Sequence, residues 1–178
     1  MSVPFKVRPR RSVWVKLAVM LEMARRCAWT AARPFCPWAN AGAGSIEAFE
    51  SVAPLVVWAK QLRPDSGGPG RYRGGLGQEA VIEVRSPAPL RLSLLSDRRE
   101  HPAQGLLGGA PGGAAEIVMS DGTRPHPKSR TTIAPGTRLV MRYAGGGGYG
   151  PPAARDPAAL AADLRDGYVT DPAPYGTR

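Results

Sequence analysis

The sequence predicts a mainly β fold of the α+β class: short antiparallel strands joined by long Gly/Pro-rich loops, with an N-terminal helix and a short C-terminal helix. Three observations carry that expectation. Short apolar or alternating runs recur between turn signals. The chain holds 22 glycines and 19 prolines in 178 residues, about twice the average share, which favours turns over long helices. Helical patterning is confined to the two ends.

In chain order, Ser12 is placed to cap a helix running to about residue 30, with Val13, Leu17, Met20, Leu21, Ala24 and Ala28 on or near one face. Pro34 and Pro37 end it. Residues 40–45 are a small-residue connector. Residues 53–62 carry Leu55-Val56-Val57-Trp58 and are assigned as a strand. Residues 79–85 alternate, with Ala80, Ile82 and Val84 opposing Val81 and Glu83, and 90–95 form the next strand after Pro87 and Pro89. Residues 100–113 make a long glycine-proline loop. Residues 115–120 form a strand, and Asp121-Gly122 is a strong hairpin signal. Thr131-Thr132-Ile133 is a short strand, Pro135-Gly136 a turn, and 137–143 the last strand. Asp156-Pro157 then supplies an N-cap with proline at the first helical position. The helix runs through 158–165 and stops at Asp166-Gly167.

Charge and cysteine content narrow the function classes. The net charge is +10, yet Lys6, Arg8, Arg10, Arg11, Lys16, Arg25, Arg26 and Arg33 stand against Glu22 alone in residues 1–36. Most of the excess therefore lies in an N-terminal segment. A basic body argues for nucleic acid; a basic tail argues much less. Cys27 and Cys36 have no second pair to complete a zinc site and read as reduced thiols, which points to the cytoplasm, with a disulfide between them the less favoured alternative. Lys16, Glu22, Arg25 and Arg26 interrupt 13–32, so that stretch lacks the roughly 20 apolar residues of a membrane span. Glu22 also breaks the apolar centre of about 7–15 residues that a secretory signal needs. The segment's composition still admits a transit-like presequence; the plainer reading is sequence left by a truncated or misread gene start.

The densest motif is Gln61-Leu62-Arg63-Pro64-Asp65-Ser66-Gly67-Gly68-Pro69-Gly70-Arg71-Tyr72-Arg73-Gly74-Gly75-Leu76-Gly77-Gln78. Glycines interleaved with arginine, tyrosine and proline describe a backbone folded to one demanding shape, not a bland linker. Pro64-Asp65-Ser66-Gly67-Gly68-Pro69 is one residue away from the nucleophile motif of chymotrypsin-like proteases. That chemistry needs a histidine base upstream of the serine, and His101 and His126 both follow Ser66. Gly145, Gly147 and Gly150 fit a dinucleotide G-x-G-x-x-G. That fingerprint needs a helix beginning inside it, whereas Pro151-Pro152 follows at once. The plainer reading is a tight backbone crossing after the last strand. No phosphate-cradling G-x-x-x-x-G-K-[ST] occurs.

Arg71 and Arg73 share a face on an extended backbone. They are suited to a carboxylate, a phosphate or a partner's acid, or to an internal pairing with Asp65, Glu79 or Asp97, which is the preferred reading. Asp97, Arg98 and Arg99 allow the same two readings. Neither histidine has a second ligand at metal spacing. The candidate polar binding or assembly residues are thus Arg63, Asp65, Arg71, Arg73, Asp97 and Arg98. The structural glycine loops are Gly67, Gly68, Gly74 and Gly75 and then Gly145, Gly146, Gly147, Gly148 and Gly150. No catalytic residue and no metal ligand is assigned.

The first glycine block is followed in order by Leu95-Ser96-Asp97-Arg98-Arg99, Pro102, and Gly105-Leu106-Leu107-Gly108-Gly109-Ala110-Pro111-Gly112. Lys128, Pro135-Gly136-Thr137-Arg138-Leu139 and Gly145-Gly146-Gly147-Gly148-Tyr149-Gly150 come next. Arg155-Asp156-Pro157, Asp163, Asp166-Gly167-Tyr168-Val169 and Tyr175-Gly176 complete the series. This succession resembles the C-terminal region of the hydantoinase B/oxoprolinase family, which includes N-methylhydantoinase B-type subunits, over about residues 46–178. The chain departs from it at Pro151-Pro152, where the family usually has Asp-Pro.

The resemblance implies ATP-dependent opening of a cyclic amide such as a hydantoin or 5-oxoproline; some relatives carboxylate ketones. It implies ATP and a divalent metal for the complete enzyme, none of it on this chain, with ATP handled by a hydantoinase A-type subunit as partner. Family members are several times longer, so the expectation is a truncated, catalytically incomplete fragment. A homo-oligomer stays open; no membrane association is expected. Two other classes remain. A non-catalytic assembly module would be retained on an A-type subunit without turnover. A basic nucleic-acid binder, less favoured, would lose affinity steeply with salt.

The expected organisation is an unmatched basic segment and connector over 1–45, a β-rich region over 46–150, and a C-terminal helix and tail over 151–178. Deletion of residues 1–40 is accordingly expected to leave a cooperative thermal transition; loss of that transition would place the segment in the core.

Overall fold

The computed structural model describes residues 45–176. The helix expected over 12–30, the connector up to residue 44 and both cysteines lie outside the described residues.

The first element is a helix the sequence reading did not assign, α1 (Ile46–Val52). The Ser45 hydroxyl accepts from the Ala48 N–H at 3.1 Å and caps it. Seven residues are too few for a helical period to show, and none of them is buried. The strands fall on the expected runs: β1 (Leu55–Leu62), β2 (Gln78–Val84), β3 (Leu90–Ser93), β4 (Glu116–Met119), β5 (Arg130–Ile133) and β6 (Arg138–Arg142). A four-stranded sheet has the order β1-β2-β6-β4, and β3 pairs with β5; every pairing is antiparallel. The mainly β, α+β expectation is therefore met.

One local expectation fails. Asp121-Gly122 does turn the chain, with Gly122 at φ 83°, but it closes no hairpin: β4 pairs with β6 and β5 with β3. After one bond from the Met119 N–H to the Thr123 carbonyl, the chain reaches Pro125 and Pro127. Neither has an N–H to continue a ladder, so the segment leaves the sheet.

The alternation sorts each strand into two faces. Ala80, Ile82, Val84, Ile117, Met119, Leu139, Met141 and Tyr143 form one face, which packs with Leu92, Leu94 and Ile133 of the small sheet in a single core. The other face is charged. Arg142 donates to Glu79 at 2.8 Å and to Glu116 at 3.0 Å, and Arg124 meets Glu116 at 2.7 Å. In a second row Glu83 pairs with Arg138 at 2.9 Å and with Arg85 at 2.6 Å. A register shift between Val57 and Ala59 leaves Trp58 beside that row, where its indole N–H donates to Glu83 at 2.8 Å.

After β6 the chain crosses a glycine run, makes a 3-10 turn at Pro152–Ala154 and enters α2 (Pro157–Arg165). The Asp156 carboxylate accepts from the Ala158 N–H at 3.2 Å, and Gly167, at φ 72°, follows its end. Leu160 of α2 packs with Val169 and Tyr175 in a small second core.

The hydrogen bond from Arg142 holds Glu79 and Glu116 below the usual carboxylate range, and those from Arg138 and then Trp58 do so for Glu83. Lowered folded-state values mean that this stabilisation is present above the ordinary value of 4.5 and is lost as pH falls through the folded values. The melting temperature should therefore fall below about pH 4.5. A Glu79→Gln/Glu116→Gln double variant should show a flatter decline; an unchanged slope would remove these rows from the acid response.

Candidate functional site

The residues between the strands hold the unusual structure. Three loops, 63–77, 97–115 and 144–151, come together as extended runs outside any sheet. The Gly68 N–H donates to the Gly146 carbonyl at 2.8 Å, Gly146 to Gly75 at 2.8 Å, and Gly74 to Gly68 at 3.0 Å. The middle loop joins them: Ala110 donates to Pro69 at 2.7 Å, Gly148 to Ala110 at 2.9 Å, Gly113 to Ser66 at 2.7 Å, and Gly145 to Gly113 at 3.0 Å. The run at 145–148 is thus bonded to several neighbours in different directions, whereas a strand has two. Backbones can approach this closely only without side chains between them, the same steric rule that puts glycine at the axis of a collagen triple helix. A Cβ on Gly145 would overlap the Ser66 carbonyl oxygen, and one on Gly74 the Gly146 carbonyl oxygen. Gly67, Gly68, Gly147 and Gly148 meet backbone just as closely, and Gly150 sits at φ 72°.

Ser66 is the polar pin of this packing. Its side chain is almost fully buried. The hydroxyl donates to the Arg63 carbonyl at 2.6 Å and accepts from the Gly77 N–H at 2.8 Å. The Arg63 N–H donates to the Gly77 carbonyl at 2.9 Å, closing the base of the loop. With both hydroxyl functions used on backbone, Ser66 has the geometry of a turn pin, and among the described residues its hydroxyl bonds to no side-chain base.

Arg73 does pair internally, but with none of Asp65, Glu79 or Asp97. Its Nε and Nη2 grip Asp163 of α2 at 3.0 and 3.1 Å, and Nη1 donates to the Gly74 carbonyl at 2.9 Å. Arg155 donates to the same carboxylate from the other side. Tyr168 lies 5.7 Å from the Arg73 guanidinium and Tyr175 5.6 Å from that of Arg155. The three charged side chains are largely buried. Asp65, at φ 56°, accepts from the Thr170 N–H at 2.8 Å and from the Thr170 hydroxyl. Together these contacts fasten the C-terminal helix and tail to the glycine loops. Sequence reasoning missed Asp163 and Arg155 as partners; they stand 90 and 82 positions from Arg73, and no local spacing links them.

The remaining candidates are dispersed. Arg63 reaches across to the Ala114 carbonyl at 2.8 Å. Asp97 meets Lys128 at 3.3 Å. Arg98 has φ 61°, and its carbonyl accepts from the Ala115 N–H at 2.9 Å. Arg71 is exposed, its guanidinium 5.6 Å from the Tyr72 ring. His101 is exposed, and His126 accepts from the Lys128 N–H at 3.2 Å. The run 145–150 leads into a 3-10 turn instead of a helix starting within it, and the N–H groups of Gly145, Gly146 and Gly148 bond to the neighbouring loops. Among the described residues no group of three His, Cys, Asp or Glu side chains converges to hold a metal ion, and no helix is long and apolar enough to cross a membrane.

A family model described as hydantoinase B/oxoprolinase matches residues 31–152. The matched range starts ahead of residue 46 and stops short of α2. The chain is 31% identical over 155 residues to the caprolactamase subunit beta of Pseudomonas jessenii, covering 80% of this chain and 26% of that one. It is 35% identical over 119 residues to 5-oxoprolinase 1 of Arabidopsis thaliana, covering 65% and 9%. It is 27% identical to the acetone carboxylase alpha subunit of Xanthobacter autotrophicus, covering 72% and 21%. The solved ATP-dependent caprolactamase of P. jessenii superposes with a TM-score of 0.63 at 25% identity over 80% of this chain and 27% of that one. A nucleotide-free acetone carboxylase shares the fold, with a TM-score of 0.62 at 23% identity over 76% and 22%. The chain thus spans about a quarter or less of the length of these relatives.

Ser66→Ala strands the buried Gly77 N–H, a loss of about 1–3 kcal/mol. A drop of that size in unfolding free energy, with no labelling of the wild-type chain by a serine-hydrolase probe, is expected; covalent labelling at Ser66 would contradict the turn-pin assignment.

Proposed function

The chain belongs to the hydantoinase B/oxoprolinase family, and on that footing we propose that it supplies the glycine-packed part of an ATP-dependent cyclic-amide hydrolase that opens rings of the hydantoin or 5-oxoproline kind. One observation supports this above the others. The motif blocks that carry the family likeness, 63–77, 105–112 and 145–150, are far apart in sequence yet pack against one another chiefly through backbone. Residues so constrained preserve a shape. The names of the relatives, an ATP-dependent caprolactamase and a 5-oxoprolinase, support cyclic-amide chemistry as the reaction class.

The part this chain plays is positional. Its hydroxyl at Ser66 is committed to backbone, its buried carboxylate at Asp163 to two arginines, and its described residues offer no cluster fitted to a divalent metal. No bond-making step is assigned to it. ATP and metal would be held elsewhere, ATP by an A-type subunit and the reaction centre by family sequence beyond the matched region. The chain is thus, on this reading, catalytically incomplete by itself. A cytoplasmic location fits a subunit that works with ATP.

Assays of the purified chain with ATP, divalent metal and 5-oxoproline or a hydantoin are expected to show no turnover. Activity should appear when an A-type subunit is combined with a full-length B-type subunit. Turnover by the chain alone would overturn the positional reading.

A further inference from the structure

The segment that follows the glycine run, residues 156–176, keeps its apolar core to itself. Its buried hydrophobic side chains, Leu160, Val169 and Tyr175, form their own cluster of three, against eleven residues in the core beneath the sheet. What joins the segment to the body is polar, and it converges on two residues of the 63–77 loop. Arg73 grips Asp163 through Nε and Nη2 and lies against the Tyr168 ring. Asp65 accepts the Thr170 N–H and hydroxyl on its carboxylate, while its own N–H donates to the Tyr168 carbonyl at 3.1 Å. Asp65 and Arg73 flank 66–72, and the remaining donor of Arg73 holds the Gly74 carbonyl.

The charges at this joint are unequal. Asp163 is one carboxylate between two guanidiniums, all three about nine-tenths buried. Among the described residues the Arg155 Nε is buried without a hydrogen-bond partner. When the joint is closed both cations depend on a single acid; when it opens, each charge returns to water. Such a grouping adds little net stability yet fails outright if its acid is lost.

We propose that residues 156–176 are a strap that detaches from the glycine loops as one unit while the sheet stays folded, with Asp163 as its catch. Partial openings draw on the regions with the fewest buried apolar contacts, and three such side chains secure this one. A nine-residue helix does not persist alone in water, so the detached strap unfolds as it leaves. Detachment releases Asp65 and Arg73 together, and both lie on one loop, so the state of the strap sets how firmly loop 63–77 is held. The device is a property of the fold, independent of the reaction.

Hydrogen exchange of the full 178-residue chain, followed amide by amide in low denaturant, tests this. In the wild type the amides of Asp166, Tyr168 and Val169, bonded within the strap, and that of Asp65, bonded across the joint, should exchange through one shared opening. The β2–β6 ladder should exchange at least about tenfold more slowly. Asp163→Asn leaves two buried guanidiniums without a carboxylate and should speed the strap set by about tenfold or more, with the ladder unchanged. Thr170→Val removes one bond of the Asp65 tie and should speed the same set by roughly threefold or more. If the wild-type Asp65 amide exchanges with the ladder and not with the strap, α2 frays in place and the proposal fails. It fails equally if Asp163→Asn leaves the strap set unchanged, or speeds strap and ladder alike. Should Asp163→Asn not fold, the wild-type and Thr170→Val profiles decide: a Thr170→Val chain whose Asp65 amide does not follow the strap set overturns the assignment.

Discussion

Close approach of backbone to backbone at Ser66 and Gly145 sets the terms for the rest of the molecule. There the Gly113 N–H donates to the Ser66 carbonyl, and Gly145 passes with no room for a methyl group between. The strands deliver the three loops to this point: β2 begins just after Gly77, β4 begins at Glu116, and β6 ends at Arg142. β2, β6 and β4 are neighbours in that order. Neighbouring strands are under 5 Å apart, so the loops leave the sheet already close enough to bond. The apolar core beneath fixes the register, because a slip of one residue would turn Met141 and Leu139 outward. Sheet and loops thus form one construction, with the side-chain core holding the strands in register and the backbone packing holding the loops.

The C-terminal helix is attached by a different kind of force. Asp163 between Arg73 and Arg155 is a charged group placed where water is largely excluded. Such groupings stabilise little compared with an apolar replacement but penalise any arrangement that separates them. Their effect here is to specify where α2 and the tail lie against the loops. The Asp65–Thr170 contact, from a residue held at positive φ, adds a second point of attachment on the same loop. Two points fix an orientation that the small apolar cluster of Leu160, Val169 and Tyr175 would leave less well defined.

Much of this was legible in the sequence, for identifiable reasons. Short apolar or alternating runs are a local signal, and the strands at 55–62, 78–84 and 138–142 fall where they occur. Caps and breakers are local too, so Asp156-Pro157 and Gly167 marked α2 correctly. The glycine blocks identified the family, but their mutual packing is invisible locally, because hydrogen-bond partners in different loops, such as Gly145 and Gly113 or Gly68 and Gly146, leave no local pattern. The same blindness hid Asp163 from Arg73. At Asp121-Gly122 the turn chemistry was sound and the inference to strand pairing was not, since pairing depends on the donors that Pro125 and Pro127 lack. Leu107 is the opposite case. Its strain appears only in the backbone angles, because Leu-Leu-Gly-Gly gives no hint of which leucine stands at positive φ.

The loop packing also bears on when the molecule can assemble. Its bonds link Ser66 to Gly113 and Gly68 to Gly146, so closing it confines long stretches of chain before any neighbouring contact offsets the lost freedom. Glycine-rich segments surrender more conformational entropy than others when they are fixed. The runs at 66–77 and 105–113 are synthesised before 145–150. Until that last run arrives they have no central partner, and the loops must wait, solvated, for the final strand. Assembly of this packing therefore waits on residues 145–150, which makes that run the timing element for the three loops.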